Sequence, residues 1–341
     1  MKGKTASSEM VNSESRKAPL TTIKLTVLAM AVMALALAVF ASPSWAATKT
    51  WDGGGDTNNW SEAANWSGDT VPTSADDVVF DGTSTKDAAI DTNIDVAGIQ
   101  INSGYTGTIT QAPGIAVTTG TYTQSAGTFT GSGGDMDING NFNLSGGTFT
   151  ASSNTTSFGG QFVLGADGTF NHNSGTVVWD GVSVDNFINA PLIFNNFTVN
   201  KNNNEFFTLF NGGIVVTGTL TLTDGRYLAG QQIEARGAVN VGPDFDGGGG
   251  PLLITAGDGQ PRAINLGAGL KLLPITLNAP NVTINTTDTG TLSWNGLNLQ
   301  AGTVNQGSGV AFVFLSPGGG ASYTQSGGAF TGGSSPMTFN S

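Results

Sequence analysis

An aromatic side chain returns at a constant interval in the centre of this chain, at Tyr122, Phe142 and Phe162. Each aromatic starts a similar phrase, such as Tyr-Thr-Gln-Ser-Ala-Gly-Thr-Phe-Thr from Tyr122, and a nearly identical copy of that phrase starts at Tyr323. A second recurrence links Val-Val-Phe-Asp-Gly from Val78 to a related phrase later in the chain. A unit this short cannot bury its own apolar side chains, so successive units are expected to stack around a shared core.

Within a unit, apolar and polar residues alternate with a period of two. Met136, Ile138, Phe142 and Leu144 share one parity, and Asp and Asn residues occupy the positions between them. In an extended strand these two sets face opposite sides, one towards the core and one towards solvent. Turn signals such as Gly-Gly, Asp-Gly and Asn-Gly separate the segments, and no sustained helical period follows residue 46.

These patterns predict an all-β fold, a right-handed parallel β-helix (β-solenoid) with coils of about 20 residues. At this coil length and about 4.8 Å per coil, the chain after residue 46 would form about 15 coils and a rod roughly 70 Å long. The alternative is a β-sandwich array, which also uses short strands and Gly-rich turns. The short and regular spacing of the aromatics favours the β-helix, because sandwich domains repeat in units of about 100 residues.

Composition restricts the environment and the partners of the protein. The chain has 341 residues, no Cys and only 11% charged residues. Residues 1–46 hold five of the 12 basic and two of the 24 acidic residues, which leaves 7 bases and 22 acids in the remainder. Such an acidic surface repels phosphate backbones, so nucleic acid is not an expected partner. Disulfides and thiolate metal sites are excluded by the absence of Cys.

The first 46 residues have the parts of a secretory signal peptide. A basic stretch ends at Lys24, an uncharged apolar run follows from Leu25 to Ala41, and Ser44-Trp45-Ala46 supplies the small residues of a cleavage site. A retained membrane anchor is the alternative, but Pro43 and the small residues after the apolar run favour cleavage. We therefore expect a secreted or cell-surface bacterial protein without a stable membrane span after removal of the signal.

The segment from Trp51-Asp-Gly-Gly-Gly to Asp76-Asp-Val-Val-Phe80, together with the Tyr-Thr-Gln-Ser phrases, resembles repeat-rich secreted bacterial proteins. These include passenger regions of the autotransporter and filamentous-adhesin type. The resemblance implies a β-helical stalk with an adhesive or scaffolding role. From the patterns above we divide the chain into a signal peptide (1–46), a Trp-rich N-terminal cap (47–90) and β-helix repeats (91–341). No part resembles a translocator barrel, so we expect a truncated repeat region and a missing C-terminal anchor or translocator.

Trp51, Trp60 and Trp66 are the candidate ligand-binding residues. Exposed indole rings could stack on sugars. More often, aromatic clusters in front of a solenoid cover the end of its core, and we favour this interpretation.

The remaining polar motifs give only weak evidence for a functional site. Asp135-Met-Asp-Ile-Asn139-Gly matches only the first half of a calcium loop, because Gly146 stands where a bidentate Glu is required. The single histidine, His172, lies in an Asn-Ser-Gly turn segment. The pair Asp76-Asp77 would point to opposite faces of a strand, which separates the two carboxylates.

Other charged groups do not converge in the sequence. The Asp244-Phe-Asp246 pair is a further carboxylate candidate. The intervals between Arg226, Arg236 and Arg262 differ from the spacing of the repeat, so regular coils would stack no two of them. We therefore predict no catalytic residue, no metal and no cofactor.

The sequence thus predicts a non-catalytic, exported, adhesin-like stalk that interacts with surface glycans or extracellular matrix. A carbohydrate-binding module centred on the three tryptophans and a polysaccharide-active β-helix enzyme are the alternatives.

Overall fold

A computed structural model describes residues 46–181, 184–188, 191–202, 205–255, 259–267, 269–315 and 323–340. The predicted signal peptide, apart from Ala46, lies outside the described residues. Nearly all regular structure is β-strand, and one 3-10 turn spans Ala63–Asn65.

The first twelve strands are β1 (Thr48–Thr50), β2 (Asp77–Phe80), β3 (Ala88–Ile90), β4 (Ile94–Ile101), β5 (Thr108–Gln111), β6 (Val117–Gln124), β7 (Thr128–Thr130), β8 (Met136–Ile138), β9 (Phe142–Thr150), β10 (Thr155–Phe158), β11 (Phe162–Asn171) and β12 (Thr176–Trp179). The next nine are β13 (Val184–Ile188), β14 (Leu192–Phe194), β15 (Asn196–Asn200), β16 (Phe206–Phe210), β17 (Ile214–Val216), β18 (Leu220–Gly230), β19 (Ile233–Ala235), β20 (Val239–Phe245) and β21 (Leu252–Thr255). The last nine are β22 (Arg262–Leu266), β23 (Lys271–Leu272), β24 (Ile275–Thr286), β25 (Gly290–Trp294), β26 (Leu297–Asn305), β27 (Val310–Leu315), β28 (Tyr323–Gln325), β29 (Ala329–Thr331) and β30 (Met337–Asn340).

Each turn of the chain contributes a segment to three faces, and each segment pairs with its equivalent one turn away. Face 1 carries the buried column through Tyr122, Phe142 and Phe162. Face 2 carries the column through Phe129 and Phe149. Face 3 carries the column through Ile138, Phe158 and Trp179. The pairings between these strands are all parallel, which excludes the β-sandwich array because its sheets are antiparallel.

The protein is a parallel β-solenoid of about 12 turns with coils of about 21 residues. This confirms the predicted all-β solenoid, whereas its right-handedness stays a prediction. The expected count of 15 coils is wrong because several corners carry inserted loops. For example, the step from Leu164 to its partner Ile188 is longer than the preceding step from Leu144 to Leu164. At about 4.8 Å per turn, 12 turns span roughly 55 Å.

The core is a continuous stack of apolar side chains inside the three faces. Phe142 lies between Tyr122 and Phe162, with ring centroids 5.3 and 4.9 Å away and nearly parallel planes. Met136, Ile138, Phe142 and Leu144 are at most 1% exposed. The alternation read from the sequence is therefore confirmed, and the regular spacing brings the aromatics into register on neighbouring turns.

Buried glutamines hold the corners, which the sequence patterns did not predict. Gln124 is 1% exposed, and its amide nitrogen donates to the carbonyl oxygens of Ala126, Gly127 and Thr148 at 3.0–3.1 Å. Its amide oxygen accepts a hydrogen bond from the Tyr122 hydroxyl. Complete burial raises the pKa of Tyr122, so this hydroxyl stays protonated and donates.

Candidate functional site

The three candidate tryptophans form a buried cluster over the first turn of the solenoid. Trp51, Trp60 and Trp66 are 0%, 1% and 0% exposed. The ring of Trp66 packs edge-on against Trp51 and Trp60, at centroid distances of 5.0 and 4.5 Å, and also contacts Phe80. Stacking on a sugar requires an exposed ring face, which none of the three offers. The position of the cluster agrees with the favoured interpretation as a cap, and the burial of the rings does not fit the alternative of a sugar-stacking platform.

Hydrogen bonds from the indole nitrogens fix the cap. Trp51 Nε1 donates to the carbonyl oxygen of Lys86 at 3.0 Å, and Trp66 Nε1 donates to that of Trp60 at 2.7 Å. Segment 47–90, assigned to the cap by sequence, also contains β2 and β3, which join the ladders of faces 1 and 2. The parallel ladder therefore starts within this segment.

A polar network organises the loop that carries the tryptophans. The buried Asn65 amide donates to the carbonyl oxygens of Thr57 and Asn59, both at 3.0 Å. The Lys86 ammonium donates to the carbonyl oxygens of Gly53 and Gly55 and to Asn65 Oδ1, at 2.6–3.2 Å. These contacts hold Asn65 and Lys86 in structural roles, and neither group is aimed at solvent.

The half calcium loop lies along an outer edge of face 3. Asp135 Oδ1 accepts hydrogen bonds from Asn154 Nδ2 at 2.7 Å and from the Thr155 backbone at 3.2 Å. Asp137 belongs to β8, and Asn139 is exposed just after it. Among the described residues, no group of three or more His, Cys, Asp or Glu side chains is arranged to hold a metal ion.

His172 lies at the corner that follows β11, on the rim of a cleft. Its Nδ1 accepts a hydrogen bond from the Ser174 backbone at 2.9 Å, in a turn where Asn173 and Ser174 have positive φ. The open cleft of about 450 Å³ lies between the β11 and β14 edges of face 2. Among the lining residues that the structure describes, His172 is the only titratable side chain. The described lining of the cleft thus offers no carboxylate partner for this imidazole.

Asp76 and Asp77 are separated, as the sequence predicted. Asp76 is 4% exposed; its Oδ1 accepts from the Ala47 backbone, and its Oδ2 accepts from the backbone and hydroxyl of Thr73. Burial favours a higher pKa for Asp76, but these hydrogen bonds outweigh it and lower the pKa. The carboxylate is thus an ionised anchor for the first strand.

The later charged residues are also engaged in structural contacts. Asp246 accepts from Lys271 Nζ at 2.6 Å, whereas Asp244 is exposed. The guanidinium of Arg236 binds both oxygens of Glu234, at 2.8 and 3.1 Å.

Two of the arginines touch across neighbouring turns through one side chain and one backbone carbonyl. The guanidinium of Arg262 donates to the carbonyl oxygen of Arg236, so this pair does lie on neighbouring turns. The two arginine side chains are not in register, because Ala235 pairs with Ile254 and Arg262 pairs with Val282 in the ladders.

Sequence patterns also missed one buried cation. Lys201 is 1% exposed, and its ammonium donates to the carbonyl oxygen of Gly181 at 3.2 Å. Burial lowers the pKa of Lys201 to about 8, although the nearby carboxylates of Asp180 and Glu205 favour its charged form. Burial, with a contribution from Asp137, raises the pKa of Asp180. The lysine is therefore a buried group that the chain itself engages.

The outer surface carries ladders of identical polar side chains. On face 3, Asn305 Nδ2 donates to Asn285 Oδ1 at 2.9 Å, and Asn285 Nδ2 lies 3.4 Å from Asn265 Oδ1. On face 2, threonines from successive turns stand in register. Within the described parts of the chain, no helix has the length and apolar character needed to cross a membrane.

No family model, curated protein or solved structure matches the chain.

Proposed function

We propose that the protein is a non-catalytic, exported, adhesin-like stalk that interacts with cell-surface glycans or extracellular matrix. The predicted signal peptide and the resemblance to passenger regions support this proposal, together with the fold. In a parallel solenoid of this kind, a continuous ladder of hydrogen-bonded strands keeps the first and last turns apart. It also displays a long polar surface instead of a single pocket.

The register of the outer polar side chains is the observation that carries the proposal. Because each turn repeats the chemistry of its neighbour, as in the ladder of Asn265, Asn285 and Asn305, one weak contact is repeated along the axis. Repeated weak contacts to a repetitive polymer add up to useful avidity. The charged groups in the described part of the chain are dispersed or engaged in structural bonds, which supports a binding surface rather than a reaction centre.

A glycan and host-matrix array probed with the purified protein tests this proposal. We expect binding to an extended polymer, weak for short oligomers and stronger as the polymer lengthens. Three variants map the binding face, each with two outward lysines on neighbouring turns: Thr123→Lys with Asn143→Lys on face 1, Thr130→Lys with Thr150→Lys on face 2, and Asn285→Lys with Asn305→Lys on face 3.

One of these variants should lose binding while the other two retain it. Release of reducing sugar from any polysaccharide on the array would contradict the non-catalytic proposal and favour a polysaccharide-active enzyme. Binding that saturates with a monosaccharide would instead favour a lectin-like module.

A further inference from the structure

Face 2 carries a regular two-column array of threonines across four consecutive turns. One column joins Thr108, Thr128, Thr148 and Thr169, and the other joins Thr110, Thr130, Thr150 and Asn171. These eight residues are called the threonine array below. All eight are outward-facing, since the residue between each pair points into the core.

The inner side of the same strands supports the array, and the last two members, Thr169 and Asn171, also line the open cleft beside β14. Phe129, Phe149 and Phe170 stack beneath it, with centroid distances of 5.2 and 5.6 Å and interplanar angles of 12° and 21°. Threonine is β-branched and has restricted χ1 rotamers in a strand, so its hydroxyl and methyl groups are ordered before any ligand arrives. Little conformational entropy is therefore lost on binding.

The hydroxyls of the array are not used by the protein itself. In the described residues no hydrogen bond joins any of these threonine hydroxyls to another protein group, and no member of the array is charged. Other hydroxyls of the same turns do bond to the chain: Thr119 Oγ1 donates to Thr121 O at 2.9 Å, and Ser152 Oγ donates to Ser132 O at 2.9 Å. The array therefore presents its hydrogen-bonding capacity to the surrounding water.

The regular spacing of the array restricts the kind of ligand. Neighbouring turns are about 4.8 Å apart, and outward residues two positions apart along a strand are separated by roughly 6.6 Å. The array repeats along the strand and between turns, so only a rigid ligand that also repeats in two directions can engage all positions together. Hexagonal ice repeats its oxygen atoms in two perpendicular directions on its prism faces, one repeat being close to the spacing between turns and the other somewhat longer than the spacing along the strand.

We propose that the threonine array is an ice-binding surface, on which ordered hydroxyls and methyl groups match the oxygen lattice of an ice prism face. A crystalline polysaccharide also repeats in two directions, but sugar recognition relies on exposed aromatic rings and planar polar groups, and Asn171 is the single planar group in the array. The activity goes beyond the proposed stalk function and does not depend on it.

Ice-crystal shaping, thermal hysteresis and inhibition of ice recrystallisation by the purified protein test the proposal. Thr130→Tyr and Thr148→Tyr place a large ring in the middle of the array at outward strand positions that accept tyrosine. Thr198→Tyr is the matched control, at an outward position on face 3. Circular dichroism and thermal unfolding check that each variant folds like the wild type.

We expect the wild type and the control Thr198→Tyr to shape ice and to inhibit its recrystallisation equally. For Thr130→Tyr and Thr148→Tyr, we expect that at least tenfold more protein is required for the same inhibition. Absence of ice shaping by the folded wild type would overturn the proposal. Equal loss in Thr198→Tyr would also overturn it, as would binding to crystalline cellulose or chitin without binding to ice. None of these results affects the glycan-array test of the stalk.

Discussion

Replacement of Phe142 by alanine should destabilise the solenoid strongly, because this ring is the central member of the face 1 stack. The side chain is fully buried and stacks on Tyr122 and Phe162 at 5.3 and 4.9 Å. It also packs edge-on against Phe149 at 4.9 Å and Phe158 at 5.0 Å. Truncation thus removes contacts within its own turn and with both neighbouring turns.

The expected cost follows from these contacts. Phe→Ala substitutions in cores cost about 3–5 kcal/mol, including the cavity that remains. Each aromatic pair adds roughly 0.5–1.5 kcal/mol beyond area burial, and the rigid backbone ladder on either side prevents collapse of the cavity. We therefore expect a loss of about 4–5 kcal/mol, at the upper end of the range. Phe142→Leu retains most of the volume and should cost less.

Urea unfolding followed by far-UV circular dichroism measures the loss, and Asn143→Ala is the matched control. Asn143 is the next residue of the same strand and points outward, so its truncation should change the unfolding free energy by less than about 0.5 kcal/mol. Because stability in a solenoid is shared between neighbouring turns, hydrogen exchange should increase most in the turns that contact Phe142. A cost below about 1 kcal/mol for Phe142→Ala, or equal costs for the two variants, would refute the stacked-core reasoning.

Two further predictions concern buried polar groups. Gln124→Leu leaves three carbonyl oxygens without their donor, so it should lower the free energy of unfolding, measured in urea, by about 2–3 kcal/mol. The control Gln100→Leu, at an outward position, should be nearly neutral. Equal effects of the two substitutions would contradict the corner role of Gln124. Lys201 has a pKa of about 8 in the folded chain, below its ordinary value of 10.5. Between these two pH values the unfolded state binds more protons than the folded state, so the folded state gains stability as pH rises. Lys201→Met removes this titration, so the unfolding free energy of the wild type should rise relative to that of the variant between about pH 8 and pH 10.5. A difference between the two that does not change with pH would show that the lysine is not a buried charge.

Local structure follows the sequence closely at the repeated phrases. In both the Tyr122 and the Tyr323 copies, the tyrosine hydroxyl donates to the glutamine Oε1 two residues later, at 2.7 and 2.6 Å. In both copies the glycine that follows adopts positive φ, 63° at Gly127 and 68° at Gly328. Each phrase thus specifies a strand, a corner and a second strand.

The same phrase does not determine which face it occupies. Tyr122 lies on face 1, whereas Tyr323 pairs with Leu297 in the ladder of face 2. The Val78 phrase lies on face 1 and the related phrase at Val177 on face 3. The inserted loops between the copies shift the later copy around the axis, because the faces present similar strands and accept the same phrase.

The candidate sites were predictable only in part. For the three Trp residues, the sequence allowed either a buried cap on the solenoid or an exposed platform for sugars. Residue types alone could not decide between these alternatives, because the burial of the rings depends on how the loop from 52 to 66 folds over Phe80. The threonine array was not predicted. Its signal is a Thr-x-Thr pattern at 108, 128 and 148, but register between turns has to be known before these pairs become a surface.

The sequence by itself determined the β-solenoid class, the inward and outward residues and the corners, because alternation and positive-φ glycines act over a few neighbouring residues. Only the tertiary structure decided how many turns form, which phrases share a face and which polar side chains align across turns. Those features depend on the length of every corner loop and on backbone hydrogen bonds between residues about 21 positions apart, which no local pattern specifies.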